Sequence, residues 1–265
     1  MKVAIVTGAG RLRGIGRATA VALAGMGIDV VVTGTGRDPS TFPEDEKAAG
    51  WQGVESTATR VRELGRRSLA LTADVSSGAD AARVAAAALA EFGRIDFLVN
   101  NAAAPLGPDR VPLAELTEKA WRDVLDTKLT GSFLMSRAVL PAMIAQRQGG
   151  SIVNISSVAG KKGAANAAAY CAACAGLQGF TQSLAMELAP QGIRVNAVCP
   201  GATATARMDG FRSTHDWEAH LRKHVPLGRA AEDQEVGRFI AWLCGPDASY
   251  LTGQSLNFDG GVAMW

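Results

Sequence analysis

The chain has 265 residues, of which 48% are hydrophobic and 20% are charged, and its formal net charge at pH 7 is +2. A chain of this size and composition buries enough surface to fold without a disulfide or metal. The small net charge gives no support to binding of nucleic acid or of an anionic membrane. Four cysteines fit neither a disulfide framework nor a two-pair zinc pattern: Cys171, Cys174, Cys199 and Cys244.

Two segments bear on membranes and targeting. The opening apolar run, 3–6, is too short for the core of a signal peptide. Residues 163–186 carry no charge, but this stretch is rich in Ala and Gly and is interrupted by Asn166, Gln178, Thr181 and Gln182. Such a helix is more typical of burial against protein than of a span in lipid. We therefore expect no membrane association and a cytoplasmic location.

Short apolar runs alternate with helix-length segments along the chain. The runs predict strands at 3–6, 30–32, 69–71, 97–99, 152–155, 195–198 and 255–258. The intervening segments predict helices at about 14–26, 51–65, 78–92, 113–145, 168–189 and 232–243. This alternation indicates an α/β fold with a Rossmann-like, doubly wound parallel sheet of about seven strands. With no linker or repeat, residues 1–265 form a single domain.

Two stretches interrupt the alternation. Residues 37–50 form a long polar connection after the second strand, and residues 202–228 form an irregular stretch that contains all three histidines. Long connections in compact domains are usually functional or disordered.

Glycines cluster between the first strand and the first helix. Gly8, Gly14, Ile15 and Gly16 lie where glycines permit a tight turn and let backbone N–H groups approach a pyrophosphate. A simple strand-to-helix turn is the alternative, but the position after the first strand favours dinucleotide binding.

With these motifs the chain resembles the short-chain dehydrogenase/reductase family from end to end. Asp74 and Val75 follow the third strand, where the family contacts adenine, and Asn100 to Ala103 resembles the family's Asn-Asn-Ala-Gly. The resemblance also implies that the segment after the sixth strand faces the nicotinamide. The implied cofactor residues at these positions are Asp74, Val75, Asn100, Ala102, Pro200, Gly201, Thr203 and Thr205.

The cofactor motif departs from the family pattern. Two extra residues between Gly8 and Gly14 bring Arg11 and Arg13 close to the expected phosphates, and the second strand leads into Arg37 without an acidic residue. An acid there normally binds the ribose 2′-hydroxyl of NAD, whereas arginine suits a phosphate. We therefore expect NADP(H) to be preferred and NAD(H) to be possible. The alternative is that these arginines are solvated surface charges.

The resemblance implies catalysis by a tyrosine acid/base, a serine that orients the substrate oxygen, a lysine that lowers the tyrosine pKa, and an asparagine. Ser157 and Tyr170 match the first two, but Cys174 stands at the lysine position and Lys128 at the asparagine position. Ionising a tyrosine of pKa about 10 at pH 7 costs about 4 kcal/mol. An ammonium about 4 Å away supplies about 4 kcal/mol at intermediate dielectric. The missing lysine is therefore a serious loss.

Three interpretations follow from this double exchange. In the first, Lys128 enters the space vacated at position 174 and supports Tyr170 electrostatically. In the second, Lys128 turns outward and the site has no redox activity. In the third, Cys174 and Lys128 form a thiolate–ammonium pair for covalent or non-redox chemistry. The spacing of Cys171 and Cys174 also matches a redox or metal pair, although small-residue packing is the simpler explanation.

The irregular stretch coincides with the family's substrate lid. His220 and His224 are one helical turn apart, a spacing that can hold a metal, but solvated or substrate-facing histidines are the simpler interpretation and we predict no metal. Basic residues surround the same side and favour either an acidic substrate or an ordinary solvated face: Lys161, Lys162, Arg207, Arg212, Arg222 and Lys223.

The leading hypothesis is an NADP(H)-dependent oxidoreductase that interconverts a carbonyl and an alcohol on a small metabolite. Tyr170 is its acid/base, Ser157 orients the substrate and Lys128 gives electrostatic support. The alternative is a homologue that has lost hydride transfer and acts as a non-redox enzyme or cofactor-binding subunit. By resemblance, the apolar helix within 163–186 and its neighbour pair two subunits, so we expect a homo-oligomer, either a tetramer or a dimer.

Overall fold

Seven parallel strands form the central sheet of the computed structural model, which describes residues 1–214 and 216–264. In chain order they are β1 (Val3–Val6), β2 (Asp29–Gly34), β3 (Ser68–Thr72), β4 (Phe97–Asn100), β5 (Gly150–Ile155), β6 (Ile193–Pro200) and β9 (Ser255–Phe258). The spatial order is β3-β2-β1-β4-β5-β6-β9. A second, two-stranded sheet pairs β7 (Thr203–Ala204) with β8 (Ala231–Glu232). Every predicted strand is present, and the doubly wound α/β fold is confirmed.

Helices cover both faces of the central sheet. They are α1 (Ile15–Gly25), α2 (Glu44–Ala48), α3 (Val54–Glu63), α4 (Gly78–Phe92), α5 (Glu118–Leu125), α6 (Gly131–Gln146), α7 (Ala168–Leu188), α8 (Asp209–Thr214), α9 (Trp217–His224) and α10 (Asp233–Cys244). One buried cluster joins the sheet to α1, α3 and α10, and a second joins it to α4, α6 and α7. Because both faces are covered, the strands are apolar on both sides.

The strand order reverses next to β1. This strand pairs with β2 on one side and with β4 on the other, and both pairs are parallel. In such sheets, ligands bind outside the carboxyl ends of the strands at the point of reversal. The loops that follow β1 and β4 therefore mark the expected position of the site.

The helix predictions needed correction at three places. The predicted helix at 113–145 begins as the 3₁₀ turn Leu113–Glu115 and continues through α5, the π-helical turn Asp126–Thr130 and α6. Thr117 starts α5 as an N-cap, because its side chain accepts a hydrogen bond from the Ala120 N–H. Residues 51–53 precede α3 rather than forming its first turn, and residues 37–50 contain α2.

The stretch 202–228 is more regular than its sequence indicated. It contains β7, the 3₁₀ turn Ala206–Met208, α8 and α9, while residue 215, one of the three histidines, lies outside the described residues. Across the described ranges, no helix has both the length and the apolar character needed to cross a membrane.

Candidate active site

The turn after β1 is packed closely against the end of β4. Gly8 has φ +67°, and a Cβ atom on Gly8 would lie 2.8 Å from the Cα of Ala102. A Cβ atom on Gly16 would lie 2.5 Å from Nδ2 of Asn101, which donates hydrogen bonds to the carbonyl oxygens of Thr7 (2.8 Å) and Gly8 (3.0 Å). Both glycines are therefore required by the close approach of this turn to the strand end.

The N-terminus of α1 fits a pyrophosphate. Its N-cap residue, Gly14, provides no side-chain hydrogen bond, so the first-turn N–H groups from Ile15 onward have no cap. Such a terminus attracts anions through its N–H groups and its dipole. The Gly14 N–H donates to Oδ2 of Asp233 at 2.8 Å, which fastens the turn to α10, and burial raises the pKa of the Asp233 carboxyl.

The three arginines near the expected phosphates have different partners. Arg13 pairs with Asp45 and Asp209, both at 2.6 Å, and so links the polar connection 37–50 to α8. Arg37 donates through Nη2 to Glu46 at 3.0 Å. In the described part of the chain Arg11 has no ion pair, and burial lowers the pKa of its guanidinium. Arg11 is therefore available to an incoming phosphate.

Glu46 is a site residue that the sequence did not reveal. Its side chain is 0% exposed, it pairs with Arg37, and its Oε1 accepts the Leu12 N–H at 2.9 Å. Trp51 donates its indole N–H to the Gly10 carbonyl oxygen at 3.0 Å. The polar connection 37–50 is thus folded back onto the glycine turn and places a carboxylate beside the cofactor region.

The residues that follow β3 and β4 lie at the same edge of the sheet as the glycine turn. Val75 is buried, and Asp74 accepts hydrogen bonds from the N–H and the hydroxyl of Ser76 through Oδ1. The Ala102 N–H donates to Oγ1 of Thr7 at 3.1 Å. Asn100 points into the core, where its amide donates to Asn154 at 2.9 Å. The Nδ2 group of Asn100 therefore holds β4 to β5, whereas its Oδ1 has no hydrogen-bond partner in the described part of the chain.

The segment after β6 lies at this same edge of the sheet. Pro200 ends the strand, and the Gly201 N–H donates to the carbonyl oxygen of Phe258 at 3.0 Å. The hydroxyl of Thr203 donates to the Gly201 carbonyl oxygen at 3.2 Å, and the Thr205 N–H donates to the Thr203 carbonyl oxygen at 2.8 Å. Both threonine side chains are buried, which fixes the start of the predicted lid.

Ser157 and Tyr170 lie together at the carboxyl end of β5. The Ser157 hydroxyl accepts the Ala159 N–H at 3.2 Å, and a hydrogen bond between Ser157 and Tyr170 stabilises the ionised phenol. Burial outweighs this stabilisation and raises the pKa of Tyr170 to about 12. The phenol is therefore protonated at neutral pH and suited to donating a proton.

Lys128 points inward from the π-helical turn between α5 and α6. It is only 3% exposed, its Nζ donates to the Ile155 carbonyl oxygen at 2.6 Å, and Nζ lies 5.7 Å from the centroid of the Tyr170 ring. The outward orientation that one interpretation required is therefore not found. Burial lowers the pKa of Lys128, while the nearby Cys174 acts in the opposite direction.

The thiol of Cys174 lies beside the same groups. Burial raises its pKa, against the effects of Lys128, Tyr170 and Ser156. Lys128 and Cys174 each act on the pKa of the other toward the charged form, so the thiolate–ammonium interpretation stays a prediction. Cys171 and Cys174 are both free thiols, on one face of α7.

Two arginines contact the ring of Tyr170 as well. The Cζ atoms of Arg110 and Arg207 lie 4.4 Å and 5.7 Å from the ring centroid. The sequence had placed Arg207 generally on the substrate side, but it gave no signal for Arg110, which lies in the irregular loop after β4.

The lid histidines belong to an aromatic cluster. The rings of His220 and His224 are 4.6 Å apart, and His220 stacks on Trp217 at 6.2 Å. Within residues 1–214 and 216–264, no group of three His, Cys, Asp or Glu side chains could hold a metal ion.

A doubly wound sheet with a glycine turn at its point of strand reversal is typical of dinucleotide-binding oxidoreductases. The chain belongs to the short-chain dehydrogenase/reductase family, and the family model described as Enoyl-(Acyl carrier protein) reductase matches residues 8–263.

Its relatives span almost the whole chain. A 3-oxoacyl-[acyl-carrier-protein] reductase of Synechocystis is 37% identical over 100% of this chain and 98% of the relative. A short chain dehydrogenase/reductase of Aspergillus oryzae is 38% identical over 99% of this chain and 95% of the relative. The crystal structure of acetoin dehydrogenase from Enterobacter cloacae has a TM-score of 0.81 and 38% identity, covering 98% of this chain and 95% of that one.

Proposed function

We propose that the protein is an NADP(H)-dependent oxidoreductase that interconverts a carbonyl and an alcohol on a small metabolite. The observation that carries this proposal is the pairing of Ser157 with Tyr170 at the edge of the sheet that also carries the glycine turn. The oxidoreductase names of the full-length relatives support the reaction class.

Several features of the cofactor region fit a dinucleotide. The uncapped N-terminus of α1 would hold the pyrophosphate, and the guanidinium of Arg11 is available to bind the same phosphates. Arg37 follows β2, where the ribose 2′ position is expected, and in the described chain only its Nη2 is engaged in hydrogen bonds. Its remaining N–H donors suit a 2′-phosphate, which supports a preference for NADP(H) over NAD(H).

The reduced nicotinamide, when bound, supplies a hydride to the carbonyl carbon. Tyr170 donates its phenolic proton to the carbonyl oxygen, and the Ser157 hydroxyl donates a hydrogen bond that orients the same oxygen. Lys128, buried behind the tyrosine ring, gives electrostatic support from the asparagine position. Because the pKa of Tyr170 is about 12, the site is best suited to reduction, in which the tyrosine acts as the acid.

The proposal is tested by adding NADPH and a panel of small ketones and following the absorbance of the reduced nicotinamide. We expect oxidation of NADPH that depends on the ketone and is lost in Tyr170→Phe, which keeps the ring but removes the acid. Oxidation that persists in Tyr170→Phe would show that another group donates the proton.

A second candidate function is a homologue without hydride transfer, favoured by Cys174 at the position of the family's lysine. This candidate predicts that NADPH binds, as measured by calorimetry, but is not consumed with any ketone. The two experiments together separate the candidates.

A further inference from the structure

Two guanidinium groups converge on the proposed catalytic phenol from distant parts of the chain. Arg110 comes from the loop after β4 and Arg207 from the 3₁₀ turn Ala206–Met208 in the predicted lid. Their Cζ atoms lie 4.4 Å and 5.7 Å from the centroid of the Tyr170 ring. Both side chains are partly buried, so their charges are weakly screened by water.

Neither guanidinium is fully neutralised by the residues around it. Arg207 donates through Nη1 to the uncharged carbonyl oxygen of Ala104, and no carboxylate forms an ion pair with it in the described part of the chain. Arg110 lies beside Asp109, but the separation of Nε from Oδ2 is 3.6 Å, and the buried Asp109 oxygens have no hydrogen bonds. Asp109 thus offsets only the charge of Arg110, while Lys128 is a third basic group near Arg207.

Activation of the tyrosine does not account for these charges. Arg207 and Arg110 lower the pKa of Tyr170, yet burial keeps that pKa at about 12 with both arginines in place. Their effect leaves the phenol protonated at neutral pH. Guanidinium groups with unused donors beside the phenol are instead well suited to a planar carboxylate, which they bind through charge-assisted hydrogen bonds.

We propose that Arg110 and Arg207 bind a free carboxylate of the substrate, so that the enzyme acts on a short oxo acid and its hydroxy acid. This inference rests on the proposed function, because it assumes that the reacting carbonyl faces Tyr170. In the reduction, hydride adds to the oxo carbon and the Tyr170 proton to its oxygen, while the carboxylate stays ionised and unchanged.

The test compares each oxo acid with its methyl ester, which keeps the carbonyl but removes the charge. The probes are acetoacetate with methyl acetoacetate, and pyruvate with methyl pyruvate, each assayed with NADPH and with NADH. We expect kcat/KM to be higher for an acid than for its ester. In Arg207→Met and Arg110→Met, the acid-to-ester ratio should fall by about 10- to 100-fold, the range for hydrogen bonds to a charged group.

Arg222→Met is the matched control, since Arg222 lies on the same lid with its side chain 64% exposed. Its ratio should equal that of the unaltered protein. Arg207→Lys keeps the charge without the planar fork and should retain part of the preference. Expressing the result as a ratio cancels any loss of folding or turnover common to both substrates. A preference for the esters, or ratios unchanged in both arginine variants, would overturn the proposal.

Binding measurements keep this inference separable from the proposed function. Acetoacetate and methyl acetoacetate are titrated calorimetrically into the unaltered protein with NADP⁺. If no ketone of the panel is reduced, the proposed function fails, whereas tighter binding of the acid that is lost in Arg207→Met still supports the carboxylate site. Equal binding of acid and ester refutes that site whatever the turnover.

Discussion

At the scale of single residues, the proposed active site has Tyr170 as its acid/base and Cys174 at the position where the family resemblance implies a lysine. Burial raises the pKa of Tyr170 to about 12, raises that of Cys174 and lowers that of Lys128. Burial is the largest cause of all three shifts, as expected when ionisable side chains are removed from water. The direction of catalysis should therefore depend strongly on pH.

The first prediction concerns this pH dependence. Alcohol oxidation needs ionised Tyr170, and below a pKa of about 12 the ionised fraction rises about tenfold per pH unit. We expect kcat/KM for oxidation to keep rising through the alkaline range, while carbonyl reduction stays nearly flat at neutral pH. Steady-state rates in both directions, measured at matched ionic strength, test this. A plateau of the oxidation rate near neutral pH would contradict it.

The second prediction separates the roles of the two exchanged residues. If Lys128 supports Tyr170 through its charge, Lys128→Met should raise the tyrosine pKa further, at about 1.4 kcal/mol per unit. Because native Tyr170 already has a pKa of about 12, kcat/KM for oxidation should fall by about tenfold per unit of that rise across the whole neutral and alkaline range. Cys174→Ala should change little, whereas it would abolish activity if the thiol were the catalyst.

The double variant Lys128→Asn with Cys174→Lys restores the arrangement of the family and serves as the control for this series. It should be active whether or not Lys128 contributes in the native site. Full activity and an unchanged pH profile in Lys128→Met would disprove the relocated lysine.

At the scale of elements, the sequence predicted what depends on local pattern. The strands were found because buried strands form continuous apolar runs, and the glycine turn because its glycines follow β1 directly. The π-helical turn at Lys128 was missed, since a 3.6-residue period does not show one inserted residue. Glu46 and Arg110 were missed because their roles depend on partners remote in sequence, such as Leu12 for Glu46.

The polar connection 37–50, which contains Glu46, gives the third prediction. Glu46 places a negative charge on Arg37, so Glu46→Gln should free Arg37 for a 2′-phosphate while its amide oxygen still accepts the Leu12 N–H. Calorimetry should show NADPH binding strengthened by up to about tenfold, or about 1.4 kcal/mol, with NADH little changed. Arg37→Ala should weaken NADPH far more than NADH.

Glu44→Gln is the matched control for this series, because Glu44 lies on the same helix and its side chain is 92% exposed. Its affinities for both cofactors should equal those of the unaltered protein. Equal losses of affinity for NADPH and NADH in Arg37→Ala would show that Arg37 does not distinguish a 2′-phosphate from a 2′-hydroxyl.

At the scale of the whole molecule, large apolar side chains remain exposed on the helices of one sheet face. Phe133 of α6 is 42% exposed, Met186 of α7 is 82% exposed and Trp121 of α5 is 37% exposed. Large apolar side chains exposed on several helices of one face favour a subunit interface. The fourth prediction is therefore that the protein is a homo-oligomer, a dimer or a tetramer, that pairs through these helices.

Phe133→Glu tests this interface. In a two-fold symmetric contact the substitution occurs in both subunits, so two carboxylates are brought into the same apolar surface. Since like charges in an interface cost several kcal/mol, the subunit dissociation constant should rise by at least about 100-fold. Leu64→Glu is the matched control, because Leu64 is 40% exposed and follows α3 on the opposite face of the sheet. Sedimentation velocity at micromolar concentration should show Phe133→Glu as a smaller species and Leu64→Glu unchanged. A monomer for the unaltered chain would contradict the prediction, and an equal shift in both variants would place the contact elsewhere.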